Sequence, residues 1–409
     1  MNRRFHLSIV SVALFASACL ASGADDLSEL KAELALLKQQ VSRLEAKLES
    51  GAAPPPSAYW SGGKNVAEPM DDIDAAYMGS GSGARWSDQT SLGGYGEMHM
   101  NFNDGADDQI DFHRWVLFLN HEFTDNIKFV SELEIEHSVA GEGKNGEVEL
   151  EQAYIDFGLS NGFSVKGGLF LLPIGITNET HEPTTFFGTE RNNVEKEIIP
   201  TTWWEGGAAV TKQFEETGLQ LDFAVHSGLN VPFDGKNAFR IRSGRQKVSE
   251  ANGNEWATTG RVRYAGIPGL EIASSVQYQS DITPGIFSEK NDAWLGEAHI
   301  DFRRGGFGMR ALATYWKING DTPETLGLDE QWGYYLEPSY TFTMANGSKL
   351  GFFTRYSRLD SALGESTQWD AGLNYWPIDD VVLKADFSRI DHEGREDEQS
   401  VNLGIGYQF

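Results

Sequence analysis

The chain has 409 residues, a formal net charge of -27 and one cysteine, Cys19. This acidic balance argues against nucleic-acid binding, because phosphate contacts need clustered lysine and arginine. A single cysteine excludes a disulfide framework and a cysteine-rich metal site. After the N-terminus there is no run of about eighteen apolar residues, so no transmembrane helix is expected.

The N-terminus predicts export from the cytoplasm. Two arginines precede an apolar run from Leu7 to Leu20, and small residues follow it. This order is typical of a secretory signal peptide, which we assign to residues 1–24. An alternative interpretation makes residues 16–19, Ala-Ser-Ala-Cys, a lipoprotein box, and in either case the protein leaves the cytoplasm.

Residues 25–50 predict a coiled coil. Apolar residues recur there at alternating spacings of three and four, as the a and d positions of heptads: Leu27, Leu30, Leu34, Leu37, Val41, Leu44 and Leu48. A helix of this length is marginal alone in water, so we expect it to associate with copies of itself in the periplasm. The alternative is a single amphipathic helix lying on another surface. Three prolines and a Gly/Ser-rich stretch then make residues 51–91 a linker.

From residue 92 to residue 409, apolar and polar residues alternate in repeated segments. In the last one, Ser400–Phe409, every second residue from Val401 to Phe409 is apolar and the residues between are polar or glycine. A period of two indicates a strand with one apolar and one wet face. An exposed apolar edge at the chain end needs a partner, which a closed membrane barrel supplies by pairing the last strand with the first. The alternative is the last strand of a soluble sandwich.

Short turns and long loops separate the predicted strands, an asymmetry typical of an outer-membrane barrel. We count sixteen strands over residues 92–409, which leaves about 20 residues for each strand and its connection. The predicted fold is therefore an all-β, sixteen-stranded antiparallel transmembrane barrel in contact with lipid, preceded by the short coiled-coil helix. A barrel of sixteen strands encloses water, so the interior is expected to be an aqueous channel.

Several segments resemble the phosphate-selective porin O and P family of bacterial outer-membrane porins: Glu151–Phe157, Lys166–Phe170, Leu172–Gly175, Ile199–Trp204, Arg242–Lys247 and Gly372–Pro377. The resemblance implies a homotrimer of sixteen-stranded barrels. It also implies that the third long loop, residues 173–202, folds into each barrel and that phosphate or other anions pass. The loop itself carries a mixed, mildly acidic set of charges rather than a basic constriction.

Charged residues at predicted inward positions, or in the loops that would narrow the pore, are candidates for lining it: Glu132, Glu134, Glu136, Asp156, Lys166, Arg191, Lys196, Arg240, Arg242, Arg245, Arg261, Arg263 and Arg310. The three glutamates share one face of a strand. They could form a cation-favouring wall, a divalent-ion site, or a solvated face balanced by arginines on neighbouring strands. The arginines of residues 240–247 could attract anions, or could pair with lipid phosphates or acidic loops. Because acids outnumber bases on the predicted inward faces, we expect weak cation preference or little selectivity.

The sequence offers no candidate for catalysis, and we predict neither a cofactor nor a metal. Its histidines are scattered, without a close pair or a zinc motif. Trp203 and Trp204 are expected in the outward aromatic girdles with other strand-end aromatics. The predicted function is an outer-membrane porin for small hydrophilic solutes and ions. The alternatives are a structural protein with a plugged barrel, tethered to the cell wall by its coiled coil, and an outer-membrane enzyme.

Overall fold

The computed structural model describes residues 89–139, 143, 146–285 and 290–409. The predicted signal peptide, the coiled coil and nearly all of the linker lie outside the described residues. No helix in the described part of the chain is both long and apolar enough to cross a membrane.

The alternating segments form sixteen antiparallel strands. They are β1 (Thr90–Asp104), β2 (Gln109–Thr124), β3 (Ile127–Glu136), β4 (Val148–Gly158), β5 (Phe163–Leu171), β6 (Trp204–Phe214), β7 (Leu219–Ser227), β8 (Trp256–Ile267), β9 (Leu270–Gln279), β10 (Ala293–Arg304), β11 (Phe307–Ile318), β12 (Glu330–Thr343), β13 (Lys349–Ser361), β14 (Gly364–Ile378), β15 (Val381–His392) and β16 (Glu398–Gln408). Each strand pairs with the next, and β1 pairs with β16, so the sheet is a closed barrel. The predicted strand number and closure are confirmed.

The closing seam uses the last residue of the chain. Gly94 donates its N–H to the carbonyl of Phe409 at 3.0 Å, and Phe409 donates its N–H to the carbonyl of Gly94 at 2.9 Å. Further along the seam Met98 lies opposite Ile405. Because the seam is hydrogen-bonded along its length, neither terminal strand is left with an open edge.

Short turns join the strands at the end of the barrel where β1 begins and β16 ends, which we call the turn end. The opposite end, the loop end, carries the long connections 137–147, 172–203, 228–255, 280–292 and 319–329. Three other loop-end connections are as short as turns: 105–108, 362–363 and 393–397. The long loops are thus confined to the arc from β3 to β12. They contain two short helices, α1 (Asn193–Glu197) and α2 (Asp321–Leu326).

The outer surface is an apolar belt between two rings of aromatic side chains. Near the loop end Tyr278 contacts Trp294, and Trp332 stacks on Tyr334. Near the turn end Phe342 contacts both Tyr340 and Phe352. On β12, ten residues separate Trp332 from Phe342, which is roughly 25 Å along the barrel axis at the usual rise and tilt of a strand. That is the height of the lipid-facing band of an outer-membrane barrel.

Part of the interior is a dry apolar core, contrary to the expectation of a wholly aqueous lumen. Trp203 and Trp316 lie there fully buried, with ring centroids 6.3 Å apart, and Ile198, Leu229 and Phe239 are fully buried in the same cluster. The sequence-based placement of Trp203 and Trp204 in an outward girdle is wrong, because both are buried. Long loops that fold inward bring their own apolar residues and cover the walls of β5–β12.

Candidate functional site

The connection between β5 and β6, residues 172–203, lies inside the barrel, and we call it the lumen segment. Apolar residues at both of its ends turn it inward: Leu172, Ile174 and Ile199 are fully buried. Asn178 ties the two ends together. Its Nδ2 donates to the carbonyls of Leu172 at 2.8 Å and Trp203 at 3.0 Å, and its Oδ1 accepts from Trp203 N–H at 2.6 Å.

The barrel wall holds the lumen segment on many sides. Side chains that bond it lie on β1–β4, β8, β9 and β11–β16. Several are cationic or amide groups that donate to backbone carbonyls of the segment, among them Lys384 to Gly188 at 2.8 Å and Arg310 to Thr185 at 3.0 Å. The segment therefore crosses the lumen instead of following one wall.

Glu195 anchors the centre of the lumen segment. Its side chain is fully buried, and Oε2 accepts the N–H groups of Ile176 at 2.9 Å and Thr177 at 2.7 Å. Oε1 accepts the hydroxyl of Tyr335 on β12 at 2.7 Å. One carboxylate thus connects both halves of the segment to the wall, and it is not available to a solute.

Charged side chains of both signs lie near one another on the loop-end side of the lumen segment, and we call the region between them the cleft. One side is basic and comprises Arg191 and Lys196 of the segment with Arg242 and Arg245 of loop 228–255, which we call the basic cluster. Arg242 donates to the carbonyls of Lys196 at 2.9 Å and Thr201 at 2.6 Å. The other side is the acidic face of β3 and β4. Opposite charges therefore face each other across the cleft.

The positive charges of the basic cluster oppose one another. Burial lowers the pKa of Arg242, and the positive charges of Arg245 and Arg191 lower it further. Burial also lowers the pKa of Arg245, although Glu149 opposes this. The Nε of Arg245 is buried without a hydrogen-bond partner among the described residues. Guanidinium groups that depress one another's pKa favour an added anion.

The predicted pore-lining residues fall into separate groups. Glu134, Glu136, Arg191, Lys196, Arg242 and Arg245 belong to the two sides of the cleft. Arg240 also lies in loop 228–255, but it is bound to Glu197 by two hydrogen bonds of 2.9 and 3.0 Å.

The remaining candidates lie nearer the turn end. Lys166 sits over the rings of Tyr154 and Phe170, and Asp156 pairs with it across the strands in register. Arg261 pairs with Asp222 at 2.9 Å and also with Glu179, while Arg263 pairs with Glu271 and Arg310 with Asp301. These three arginines do not extend the basic cluster, because each of them already has a carboxylate partner.

Beneath the lumen segment, on the turn-end side, lies a second space. A cavity of about 260 Å³ is lined there by Phe187 of the segment and by Asp301, Arg310 and Glu337 of the wall. Glu179 projects from the segment with its side chain 36% exposed, whereas Glu190 projects into the loop-end cleft with its side chain 45% exposed. The segment thus divides a charged space above from a charged space below.

Glu132 and Glu134 are not on a solvated face, contrary to one sequence-based interpretation. Both are 1% exposed, because the lumen segment packs against them. Arg114, whose direction the sequence left open, is fully buried beside them. It donates to Glu97 at 2.6 Å and to the carbonyl of His181 at 2.8 Å. The sequence did contain a signal for this buried arginine, namely a charged residue within a strand that is apolar on both faces.

The histidines are closer together than the sequence indicated. At the loop end of β2 and β3, Nδ1 of His137 lies 2.8 Å from Asp111 and Nδ1 of His113 lies 3.3 Å from the same carboxylate. His113 also stacks on His99 with ring centroids 4.7 Å apart. His113 and His137 are 24 positions apart in the chain, and strand pairing brings them together. Spacing along the sequence therefore could not reveal this cluster.

Comparison with known proteins supports the fold. No family model matches the chain. An uncharacterized protein of Aquifex aeolicus is 29% identical over 349 residues, which covers 78% of this chain and 80% of that protein.

Solved structures of bacterial outer-membrane proteins share the architecture at low identity. The anion-selective porin from Comamonas acidovorans has a TM-score of 0.55 at 13% identity, over 78% of this chain and 99% of that one. The outer membrane channel DcaP of Acinetobacter baumannii has a TM-score of 0.53 at 14% identity, over 78% and 97% of the two chains. OmpF of Salmonella typhi, in complex with daunomycin, has a TM-score of 0.53 at 12% identity, over 78% and 97%. These likenesses concern the barrel fold.

Proposed function

We propose that the chain forms an outer-membrane channel through which small hydrophilic solutes and ions diffuse passively. The observation that supports this most directly is the closed sixteen-stranded barrel with a lipid-facing belt, whose interior holds charged side chains that are partly exposed. Side chains of both signs project into the spaces above and below the segment, and such groups are stable only where water or a polar solute reaches them. The loop end faces the exterior and the turn end faces the periplasm.

The channel is narrow. The lumen segment bonds the wall on nearly every side, so the cross-section left for solutes is a small part of the area that a sixteen-stranded barrel encloses. We expect a single-channel conductance well below that of a porin whose third loop lies along one wall.

Within this function we propose a weak preference for anions, with phosphate and other small anions as candidate solutes. Two acids of the lumen segment are not available to attract cations. Glu195 accepts three buried hydrogen bonds, and Glu197 forms an ion pair with Arg240. The basic cluster remains beside the cleft, and its positive charges lower the pKa of Arg242. Charged groups at the narrowest zone dominate pore selectivity, because more distant charges are screened over roughly 10 Å at 0.1 M salt.

The reversal potential of single channels in a tenfold KCl gradient tests this proposal. The wild-type protein should show anion preference, and the double variant Arg242→Ala with Arg245→Ala should lose it. The matched control is Arg389→Ala with Arg395→Ala, two loop-end arginines whose side chains are 45% and 51% exposed, and it should leave the reversal potential unchanged. Cation preference in the wild-type protein would refute the assignment of selectivity to the basic cluster.

A structural role in the outer membrane is the second candidate function. The observation that favours it is the bonding of the lumen segment to strands around the barrel, which is what a plugged barrel requires. In that case the predicted coiled coil would tether the membrane to the cell wall. Single-channel recording separates the two functions, because a plugged barrel gives no discrete conductance steps in any orientation or voltage.

We further propose that the protein is a homotrimer in the outer membrane. One structural neighbour, OmpT of Vibrio cholerae, has a trimer form. On the outer face of β8–β11, a shallow apolar concavity is lined by small side chains such as Ser274, Ala298 and Ala313. Small residues let a second barrel approach closely, so this face is a candidate contact between subunits. The oligomer mass in detergent, measured by light scattering, tests the subunit number.

A further inference from the structure

Three side chains from three elements converge where the lumen segment meets the wall: Glu132 on β3, Glu151 on β4 and His181 in the segment. Their exposed fractions are 1%, 0% and 3%. Nε2 of His181 lies 3.4 Å from Oε1 of Glu132 and 3.3 Å from Oε2 of Glu151. All three atoms lie within 4.8 Å of one another. We call this group the buried triad.

Hydrogen bonds orient the two carboxylates of the buried triad. Oε2 of Glu132 accepts from Nε2 of Gln152 at 2.7 Å. Oε1 of Glu151 accepts from the hydroxyl of Thr202 at 2.7 Å. Oε1 of Glu132 and Oε2 of Glu151 face the imidazole, and Oε1 of Glu132 also accepts from the hydroxyl of Tyr95 at 3.3 Å. Partners of this kind hold metal-binding carboxylates in place.

The imidazole is oriented in the same manner. Nδ1 of His181 lies 3.2 Å from the carbonyl of Asn178, a position suited to an Nδ1–H donor. With the proton on Nδ1, Nε2 presents its lone pair to the two carboxylate oxygens. Backbone carbonyls commonly fix metal-binding histidines in this tautomer. Asn178 is itself fixed by its bonds to Leu172 and Trp203, so the ring orientation is built into the segment.

The atoms that face one another lack the bonds that burial demands. Among the residues that the structure describes, Oε2 of Glu151 and Nε2 of His181 are fully enclosed and have no hydrogen-bond partner. A buried polar atom without a partner destabilises the protein, and an unpaired carboxylate does so more strongly. Either a proton or a cation between these atoms would satisfy them.

The surrounding charges indicate which group would lie between these atoms. Arg114 neutralises Glu97 at 2.6 Å and lies 3.9 Å from Glu134. Glu132 and Glu151 then carry two negative charges on either side of one imidazole. A divalent cation between them would neutralise both carboxylates and give Nε2 of His181 an acceptor for its lone pair.

We propose that the buried triad binds a divalent transition-metal ion, with Zn²⁺ as the best fit, and that the ion fastens the lumen segment to β3 and β4. Ligands about 2.0–2.1 Å from a tetrahedral Zn²⁺ lie roughly 3.4 Å apart, which matches the two observed separations. One imidazole and two carboxylates are ligands that zinc accepts, with a water molecule in the fourth position. Ca²⁺ and Mg²⁺ prefer oxygen ligands throughout, so the histidine disfavours them.

The test uses the full-length protein, purified in detergent, stripped with a chelator and titrated with Zn²⁺ alone. We expect about one tightly bound zinc ion per chain by elemental analysis. His181→Gln and Glu151→Gln should each weaken binding at least about 100-fold, since each removes a ligand. Thr202→Val removes only the hydrogen bond to Glu151 and should weaken binding about 10–100-fold. It alters the fold least, so it keeps the test valid if the ligand variants fail to assemble.

The matched control is His113→Gln, which alters the histidine cluster at the loop end and should leave the bound zinc in place. X-ray absorption of the zinc-loaded protein should show nitrogen and oxygen ligands at about 2.0–2.1 Å with one imidazole. Absence of retained zinc in the wild-type protein would overturn the proposal, because an imidazolium bridging the two carboxylates would then account for the triad. Loss of zinc in His113→Gln but not in Thr202→Val would overturn it too. None of these measurements depends on conductance, so the channel proposal can fail separately.

Discussion

Replacing Glu195 by alanine should release the first half of the lumen segment from the wall. The carboxylate accepts three buried hydrogen bonds, from the N–H groups of Ile176 and Thr177 and from the hydroxyl of Tyr335. A hydrogen bond to a charged group contributes roughly 1.5–3 kcal/mol, and each donor left buried without a partner costs about 1–3 kcal/mol. Such contributions are not additive, and partial hydration of the donors recovers some of the loss.

We therefore expect the free energy of opening of the segment to fall by about 4 kcal/mol, slightly less than the smallest sum for the three bonds, about 4.5 kcal/mol. At about 1.4 kcal/mol for each factor of ten, the open population rises roughly 10³-fold. Glu197→Ala is the matched control, because it lies on the same helix, α1, and removes a partly exposed pair with Arg240. A pair of that kind contributes about 1 kcal/mol or less, so its effect should be much smaller.

Hydrogen exchange measured by mass spectrometry on peptides that cover residues 172–182 gives the opening free energy directly. The same variant should raise the single-channel conductance, since the segment occupies the lumen. Protection that is equal in Glu195→Ala and Glu197→Ala would refute the reasoning. It would mean that the apolar residues of the segment, rather than the carboxylate, hold it in place.

Three further predictions concern assembly. Deleting Phe409 removes both hydrogen bonds to Gly94 and a lipid-facing ring, so the amount of heat-modifiable barrel in the membrane should decrease sharply. Normal amounts of folded barrel on gels of unheated samples would contradict the role of Phe409 in closure. Ala298→Trp fills the outward concavity and should lower the oligomer mass in detergent, whereas an unchanged trimer would place the contact elsewhere. Leu34→Lys with Leu37→Lys puts charges into the predicted heptad seam and should reduce the helical signal in circular dichroism, whose persistence would exclude a coiled coil.

The alternating pattern was enough to predict sixteen strands, their antiparallel order and the pairing of the last strand with the first. It also predicted which face of most strands points inward, because a period of two leaves little freedom once one face must be apolar. Glu132, Asp222 and Arg261 all lie on the expected face. The face of a strand that points inward depends on the alternation of its own residues, so it can be predicted from the sequence of that strand.

The occupants of the lumen could not be predicted in this way. Trp203 and Glu195 are fully buried because a long connection folds inward, and no period in the sequence records that. Their partners, Trp316 and Tyr335, are more than a hundred residues away. For the same reason, the sequence allowed a solvated face at Glu132, whereas the structure shows this side chain buried. Charge counting on strand faces failed for the same reason, since it cannot tell a paired side chain from a free one.

The position of the lumen segment also constrains how the protein is made. The segment bonds both strands of the closing seam, through Glu190 to His99 on β1 and through Thr184 to Gln408 on β16. Loop 228–255 packs against part of it from the loop end, with the fully buried Leu229 and Phe239 in the same cluster as Ile198, so the segment cannot enter a finished barrel without displacing this loop. The packing thus favours an order in which the hairpins gather around the segment and the β1–β16 seam zips last. In that order the segment is in place before the wall closes around it, and its contacts with β1 and β16 form together with the seam.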